Sequence, residues 1–246
     1  MNNCKLKSPF TLLMAGPSSC GKSYLLERLI KRWADVLEHK PTKIYICHAH
    51  DQPIYDTIKK NAPCPVELIN SLPSDLETEK GSLLVIDDLV AEFSKEIKEW
   101  HVRKSHHFST DVLTISQNLF EKVKEYRTIS LNSHYIVLFK NPRDNSQIIH
   151  FAKQYSPTDI HFIINSFRDC TEKPHSYMLF DLKQSTPNLY RVRTSIFPSE
   201  AAVYVPKSTL ISVYDGVESC SKKPSYIATL GQVKAKASPA NFKKRK

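Results

Sequence analysis

The segment that most constrains this chain is GPSSCGKS, residues 16–23, which meets the spacing G-x-x-x-x-G-K-[ST] through Gly16, Gly21, Lys22 and Ser23. Before it, PFTLLMA (9–15) is an apolar run of the length of a fully buried strand. After it, YLLERLIKRWADVL (24–37) brings back Leu25, Leu26, Leu29, Ile30, Trp33 and Leu37 at helical spacing. A buried strand that turns directly into a helix aims several backbone N–H groups and the positive end of the helix dipole at one spot, which suits an anion. Gly16 and Gly21 let the chain turn without a Cβ clash. Gly16, Pro17, Ser18, Ser19, Cys20, Gly21, Lys22 and Ser23 are therefore a candidate phosphate cradle. In it Lys22 offsets β/γ-phosphate charge and the Ser23 hydroxyl ligates Mg²⁺, so ATP with Mg²⁺ is the expected cofactor pair.

Such a loop needs a carboxylate on a neighbouring strand to hold the metal through water. GSLLVIDDLV (81–90) supplies a strand that ends in two acids. Asp87 is expected on the Mg²⁺ side, and Asp88 is placed to polarise the water that attacks the γ-phosphate. Many hydrolysing ATPases carry Glu at the second position, so Asp88 is one methylene short of that pattern. A further strand, DVLTISQN (111–118), ends in Gln117 and Asn118. A polar amide at the tip of a buried strand can orient water against the γ-phosphate. It can equally serve as a cap.

Strands and helical stretches alternate through the first 140 residues. KIYICHA (43–49), PVELINS (65–71) and HYIVLFK (134–140) read as further strands, and DQPIYDTIKKN (51–61) and VAEFSKEIKEWHVRKSHH (90–107) as helical. This order predicts an α/β fold with a mainly parallel sheet covered by helices. Beyond it, FAKQYSPTDIHFIINSFRDC (151–170) reads as helical with a Ser-Pro break, and SYMLFDL with LYRVRTSIF as a hairpin or two closing strands. The chain has 246 residues, 41% of them hydrophobic, enough for one α/β domain with an extension. From Ser219 to Lys246 there are seven lysines, one arginine and no acid, which reads as a flexible basic tail. The formal charge of +10 points to a polyanionic partner. Six scattered cysteines without a C-x-x-C pair, and no signal peptide at MNNCKLKSPF, suggest a reduced, intracellular protein. No apolar run approaches a membrane span, so no membrane insertion is expected.

GPSSCGKS, LLVIDDL and SHHFSTDVLTISQNLF, followed by RTISLNSHYIVLFKNPRDNSQI and the closing LFDLKQSTPNLYRVRTSIFP, resemble the FtsK/HerA-type packaging ATPases of poxviruses and of Polinton/Maverick and adintovirus-like elements. The resemblance spans about residues 8–198, and its SQNLF and NSHYIVLFKNPRD blocks are more specific than the loop or the paired acids. It implies a RecA-like (ASCE) P-loop core over 1–200, followed by a C-terminal extension over 201–246 that is basic from about 219. It further implies that the Gln117 strand lies between the P-loop strand and the Asp87 strand. An oligomeric ring is implied as well, with an arginine reaching into the neighbouring subunit's nucleotide, for which Arg127 and Arg143 are candidates. The implied activity is ATP-driven translocation of double-stranded DNA into a capsid, with capsid contacts and a location in the host cytoplasm or nucleus or with the virion.

Two other classes remain open at this point. A small-molecule phosphotransferase of the nucleotide-kinase type also begins with a P-loop, although no Arg-rich lid is visible. A noncatalytic nucleic-acid-binding protein would keep the loop as a vestige, against which the set Lys22, Ser23 and Asp87 argues. His101, His106 and His107 lack the Cys or carboxylate neighbours of a zinc site. Tyr135, Phe139, Phe162 and Phe167 read as core. Cys20, among converging N–H dipoles and Lys22, is expected to favour its thiolate, and its modification to block nucleotide binding.

Overall fold

The segments that read as buried strands are buried because each lies inside one sheet with helices on both faces. The computed structural model describes residues 4–206 and 226–229. In chain order the first elements are β1 (Thr11–Ala15), α1 (Lys22–Lys31), α2 (Trp33–Val36), β2 (Ile44–His48), α3 (Pro53–Asn61), β3 (Val66–Asn70) and β4 (Leu83–Asp87). There follow α4 (Ser94–Glu99), a π-helical turn over Trp100–Lys104, α5 (Ser105–His107), β5 (Asp111–Ser116), α6 (Tyr126–Leu131) and β6 (Tyr135–Phe139). The chain continues through α7 (Ser146–Tyr155), α8 (Ile160–Cys170), β7 (Tyr177–Asp181), β8 (Val192–Arg193), β9 (Ala202–Val205) and β10 (Tyr226–Thr229).

The sheet order is β10-β9-β8-β7-β6-β1-β5-β4-β2-β3. From β6 to β3 every neighbouring pair is parallel. From β6 to β10 every pair is antiparallel. Alternate side chains of the parallel strands feed two cores, as the two-residue period requires. Leu12 and Met14 pack with Leu25, Leu29 and Ile58 under α1 and α3. Leu13 and Ala15 face the opposite way, with Trp100, Ile129, Phe151 and Phe162 from the helices after β4. Tyr135, Phe139, Phe162 and Phe167 are core residues, as expected.

Local chemistry explains several boundaries. α1 begins at Lys22, directly after Gly21, and ends at Arg32 with φ −106°, so the 24–37 stretch is two helices rather than one. Pro53 opens α3, where its missing N–H costs nothing. Asp159 caps α8 by accepting from the Phe162 N–H at 3.2 Å. The mixed periodicity over 90–107 arises because 90–93 lie outside the helix, which begins at Ser94, while Ile97, Trp100, His101 and Ser105 fall on one buried face. α6 was not legible in the sequence, and β9 and β10 continue the sheet beyond residue 200. The basic tail lies outside the described residues apart from 226–229. Among the described residues no helix is long and apolar enough to cross a membrane, and Cys20, Cys47, Cys64 and Cys170 form no disulfide.

Two histidines make this core sensitive to acid. His101 is 2% exposed, with Nε2 3.0 Å from Thr114 Oγ1 and Nδ1 3.4 Å from Ser133 Oγ. Burial, with a smaller contribution from His134, pushes its pKa down to about 3. His134 accepts the Thr11 N–H on Nδ1 at 3.0 Å, and burial pushes it down to about 4. Both rings bind fewer protons folded than unfolded, so their contribution is complete above their ordinary pKa of 6.5 and is lost as the pH falls below it. Asp111 works in the opposite direction, because burial raises it to about 6 and the folded state takes up its proton first. Burial raises Asp87 and Asp181 in the same direction as Asp111, so the histidine contribution is read by difference, with His101 alone contributing about 2 kcal/mol by pH 5. Between pH 7 and pH 5 the melting temperature of the wild type is expected to fall relative to that of His101→Gln; parallel profiles would mean that the His101 ring is not held neutral.

Candidate active site

The carboxyl ends of β1, β4 and β5 lie side by side, and the loop from Gly16 to Gly21 sits at this edge. The Gly16 N–H donates to Ser116 O at 3.2 Å, joining the loop to the end of β5 one residue before Gln117. A Cβ on Gly16 would stand 2.6 Å from Phe139 Cβ and 2.8 Å from Cys20 Sγ, so only glycine fits. Gly21 has φ 109° and Ser19 φ 62°, the left-handed conformations that curl the loop before α1. The N–H groups of Ser18, Ser19, Gly21, Lys22 and Ser23 have no acceptor among the described residues, and no side chain caps α1. These are the donors that a phosphate requires, so the loop fits a nucleotide. Lys22 Nζ donates to Gly16 O at 2.6 Å and Pro17 O at 2.9 Å, which holds the ammonium over the loop.

Cys20 corrects one expectation. Its pKa is raised, because burial outweighs the opposing effect of Lys22, whose Nζ is 4.0 Å from Sγ. The thiol is therefore not activated in this conformation, although it remains part of the loop.

Asp87 ends β4 and is 4% exposed. Its Oδ2 accepts the Tyr55 hydroxyl at 2.8 Å. Burial raises its pKa and the charge of Asp88 adds to this, against the Tyr55 hydrogen bond and the charges of Lys22 and His48. A buried carboxylate beside a second one gains from a cation. With the Ser23 hydroxyl it offers the hard oxygen donors that suit Mg²⁺, an ion that keeps several waters and uses few protein ligands. Asp88 is exposed and has φ 56°, an uncommon conformation that turns its side chain away from the strand direction. Gln117 Nε2 donates to Asp88 Oδ2 at 2.9 Å, so the second acid and the strand-end amide form one unit. Asn118 has a separate task, since its carbonyl accepts from Tyr126 Oη at 2.6 Å and its side chain from Gln147.

Lys22, Ser23, Asp87, Asp88 and Gln117 thus converge at one edge, whereas Arg127 and Arg143 make no hydrogen bond or ion pair with them among the described residues. Arg127 lies on α6 and Arg143 in the loop after β6, both exposed, and neither guanidinium has a hydrogen-bond or ion-pair partner among the described residues. Sequence reasoning missed three neighbours of the site. Tyr55 reaches Asp87 from α3, and His48 on β2 stands in register with Asp87, its ring centroid 4.9 Å from that of Tyr55. His175, at φ 60° in the turn before β7, has Nδ1 3.2 Å from Cys20 O. The polar end of KIYICHA was the one available hint, and it pointed only to a strand end.

A P-loop after β1, paired acids after β4 and β5 between those strands define a RecA-like P-loop fold with a mostly parallel sheet flanked by helices. The inserted β5 is the arrangement that the sequence resemblance implied. No protein-family model matches the chain, and no curated protein sequence does. Solved structures similar to it include the genome packaging NTPase B204 from Sulfolobus turreted icosahedral virus 2 in complex with ATP-gammaS, at 15% identity and TM-score 0.46, over 75% of this chain and 95% of that one. Others are the cytoplasmic domain of the Thermomonospora curvata type VII secretion ATPase EccC (13% identity, TM-score 0.44, 71% of this chain and 24% of that one) and ATPases 2 and 3 of EssC from Geobacillus thermodenitrificans (10%, 0.37, 52% and 31%). The chain thus spans a quarter to a third of the two secretion ATPases.

Proposed function

We propose that this protein is an ATP-driven double-stranded DNA translocase that packages a viral or virus-like genome into a capsid. The observation that carries the reading is the convergence of the loop donors, Lys22, Asp87 and the Asp88–Gln117 unit at one sheet edge. The loop N–H groups and Lys22 bind the β- and γ-phosphates, and Ser23 and Asp87 hold Mg²⁺. The metal supplies charge neutralisation at the phosphates when bound. Asp88 takes the proton of the attacking water and Gln117 keeps that carboxylate oriented. Among the described residues neither the Arg127 nor the Arg143 guanidinium has a hydrogen-bond or ion-pair partner, which supports each as the group that reaches a neighbouring subunit's nucleotide in a homo-oligomeric ring. The formal charge of +10 supports a DNA partner bound through phosphates, without sequence preference and more weakly in salt. Capsid contacts and a location in the host cytoplasm or nucleus, or with the virion, belong to the same proposal.

The test is steady-state ATP hydrolysis with and without double-stranded DNA at two salt concentrations. Stimulation by DNA that weakens at the higher salt is the expected result. Turnover indifferent to DNA, under conditions in which the protein binds DNA and assembles, would replace the translocase with a phosphotransferase.

A further inference from the structure

The Asp87 carboxylate has two oxygens, and the chain engages one of them. Tyr55 donates its hydroxyl hydrogen to Oδ2 at 2.8 Å, while Oδ1 has no hydrogen-bond donor among the described residues. Both side chains are enclosed, with Tyr55 1% exposed and Asp87 4%. The tyrosine has little freedom to leave. The His48 ring packs against the phenol with centroids 4.9 Å apart, and His48 is itself the register partner of Asp87 on the adjacent strand. α3, which carries Tyr55, is tied to α1 by Asn61 Nδ2 donating to Glu27 Oε1 at 3.0 Å, and α1 begins with Lys22 and Ser23. The tyrosine therefore connects the acid to the helix that follows the phosphate loop. A carboxylate turns readily about its last torsion, whose preference is broad. A fixed donor at one oxygen sets the plane of the group and so the direction of the other oxygen.

We propose that Tyr55 is a positioning residue for the metal-side acid: its hydroxyl holds one oxygen of Asp87 and leaves the second as acceptor for the Mg²⁺ hydration shell. This rests on the nucleotide-site reading above. The hydroxyl touches neither nucleotide nor metal and acts through Asp87 alone. Partners of this kind behind a metal-binding group typically change metal affinity by roughly ten- to a hundred-fold when removed.

The test uses the full chain with Tyr55→Phe, which keeps the ring against His48. Mn²⁺ binding in the presence of ATPγS is read from the free-Mn²⁺ electron paramagnetic resonance signal, nucleotide binding is read separately in EDTA, and melting is followed in parallel. The expected result is Mn²⁺ binding weaker by roughly ten-fold, with metal-free nucleotide affinity unchanged at a temperature where both proteins are folded. In an Asp87→Asn background the same substitution is expected to add nothing. 4-Aminophenylalanine at position 55, which retains a donor on the ring, is expected to restore most of the affinity. Wild-type Mn²⁺ affinity in Tyr55→Phe, or an equal loss with and without metal, overturns the positioning role while leaving the nucleotide site standing. A wild-type protein that binds no nucleotide overturns the site reading and this proposal together.

Discussion

Replacing Lys22 with alanine is expected to lower ATP hydrolysis by roughly a hundred-fold or more, the size of effect seen when a preorganised donor to developing charge is removed. The reason lies in the loop. Lys22 Nζ donates to the carbonyls of Gly16 and Pro17, at 2.6 and 2.9 Å, and with it gone the loop itself presents neutral N–H donors to the phosphates. The side chain is half-buried and supports no part of either core, so the melting temperature is expected to change little. Turnover, nucleotide affinity and melting measured on the same preparation separate a lost catalytic donor from a lost fold. Near wild-type turnover in Lys22→Ala would mean that the phosphates bind elsewhere.

The largest effect on stability is expected at the opposite end of the parallel strands' neighbours, in the pair formed by Arg193 on β8 and Asp181 on β7. Arg193 is 0% exposed and Asp181 2%. One guanidinium nitrogen donates to Asp181 Oδ2 at 2.8 Å and another to Cys4 O at 2.6 Å, while Nε has no partner among the described residues. Asp181 also accepts from the Thr186 hydroxyl at 2.9 Å and the Lys183 N–H at 3.2 Å. Arg193→Met would leave a buried carboxylate without its counter-charge, which costs about 3–5 kcal/mol. The urea midpoint is expected to drop accordingly, and Arg193→Met with Asp181→Leu to recover much of the loss, since both charges then leave the interior. Arg103→Ala is the contrasting control, because that arginine is 74% exposed in its pair with Glu99 and such pairs contribute little. A small shift in Arg193→Met would mean that the pair is solvated.

Much of the fold was legible because its signals are local. The apolar runs at 9–15, 81–90, 111–118 and 134–140 are short, bounded by polar or turn residues, and became β1, β4, β5 and β6. Elements too short to show a period were not legible. α6 has six residues, with Tyr126, Ile129 and Ser130 buried, whereas the closing strands read at SYMLFDL and LYRVRTSIF became the antiparallel pair β7 and β8. The buried face of the helix after β4 was obscured by polar residues on it, since His101 and Ser105 are buried beside Ile97 and Trp100. Composition likewise gave no sign that β9 and β10 would extend the sheet past residue 200.

The sequence by itself determined the phosphate loop, the acids that end β4 and the α/β alternation, since each depends on neighbouring residues whose spacing sets their chemistry. Only the tertiary structure decided that Gln117 meets Asp88, that Tyr55 and His48 enclose Asp87, that Cys20 is too buried to ionise readily, and that Arg193 pairs with Asp181. These contacts join residues on different elements, and chain spacing carries no information about which strand ends the sheet will bring together. Burial then sets their electrostatics, because the cost of a charge depends on the surroundings that packing creates rather than on the residue that bears it.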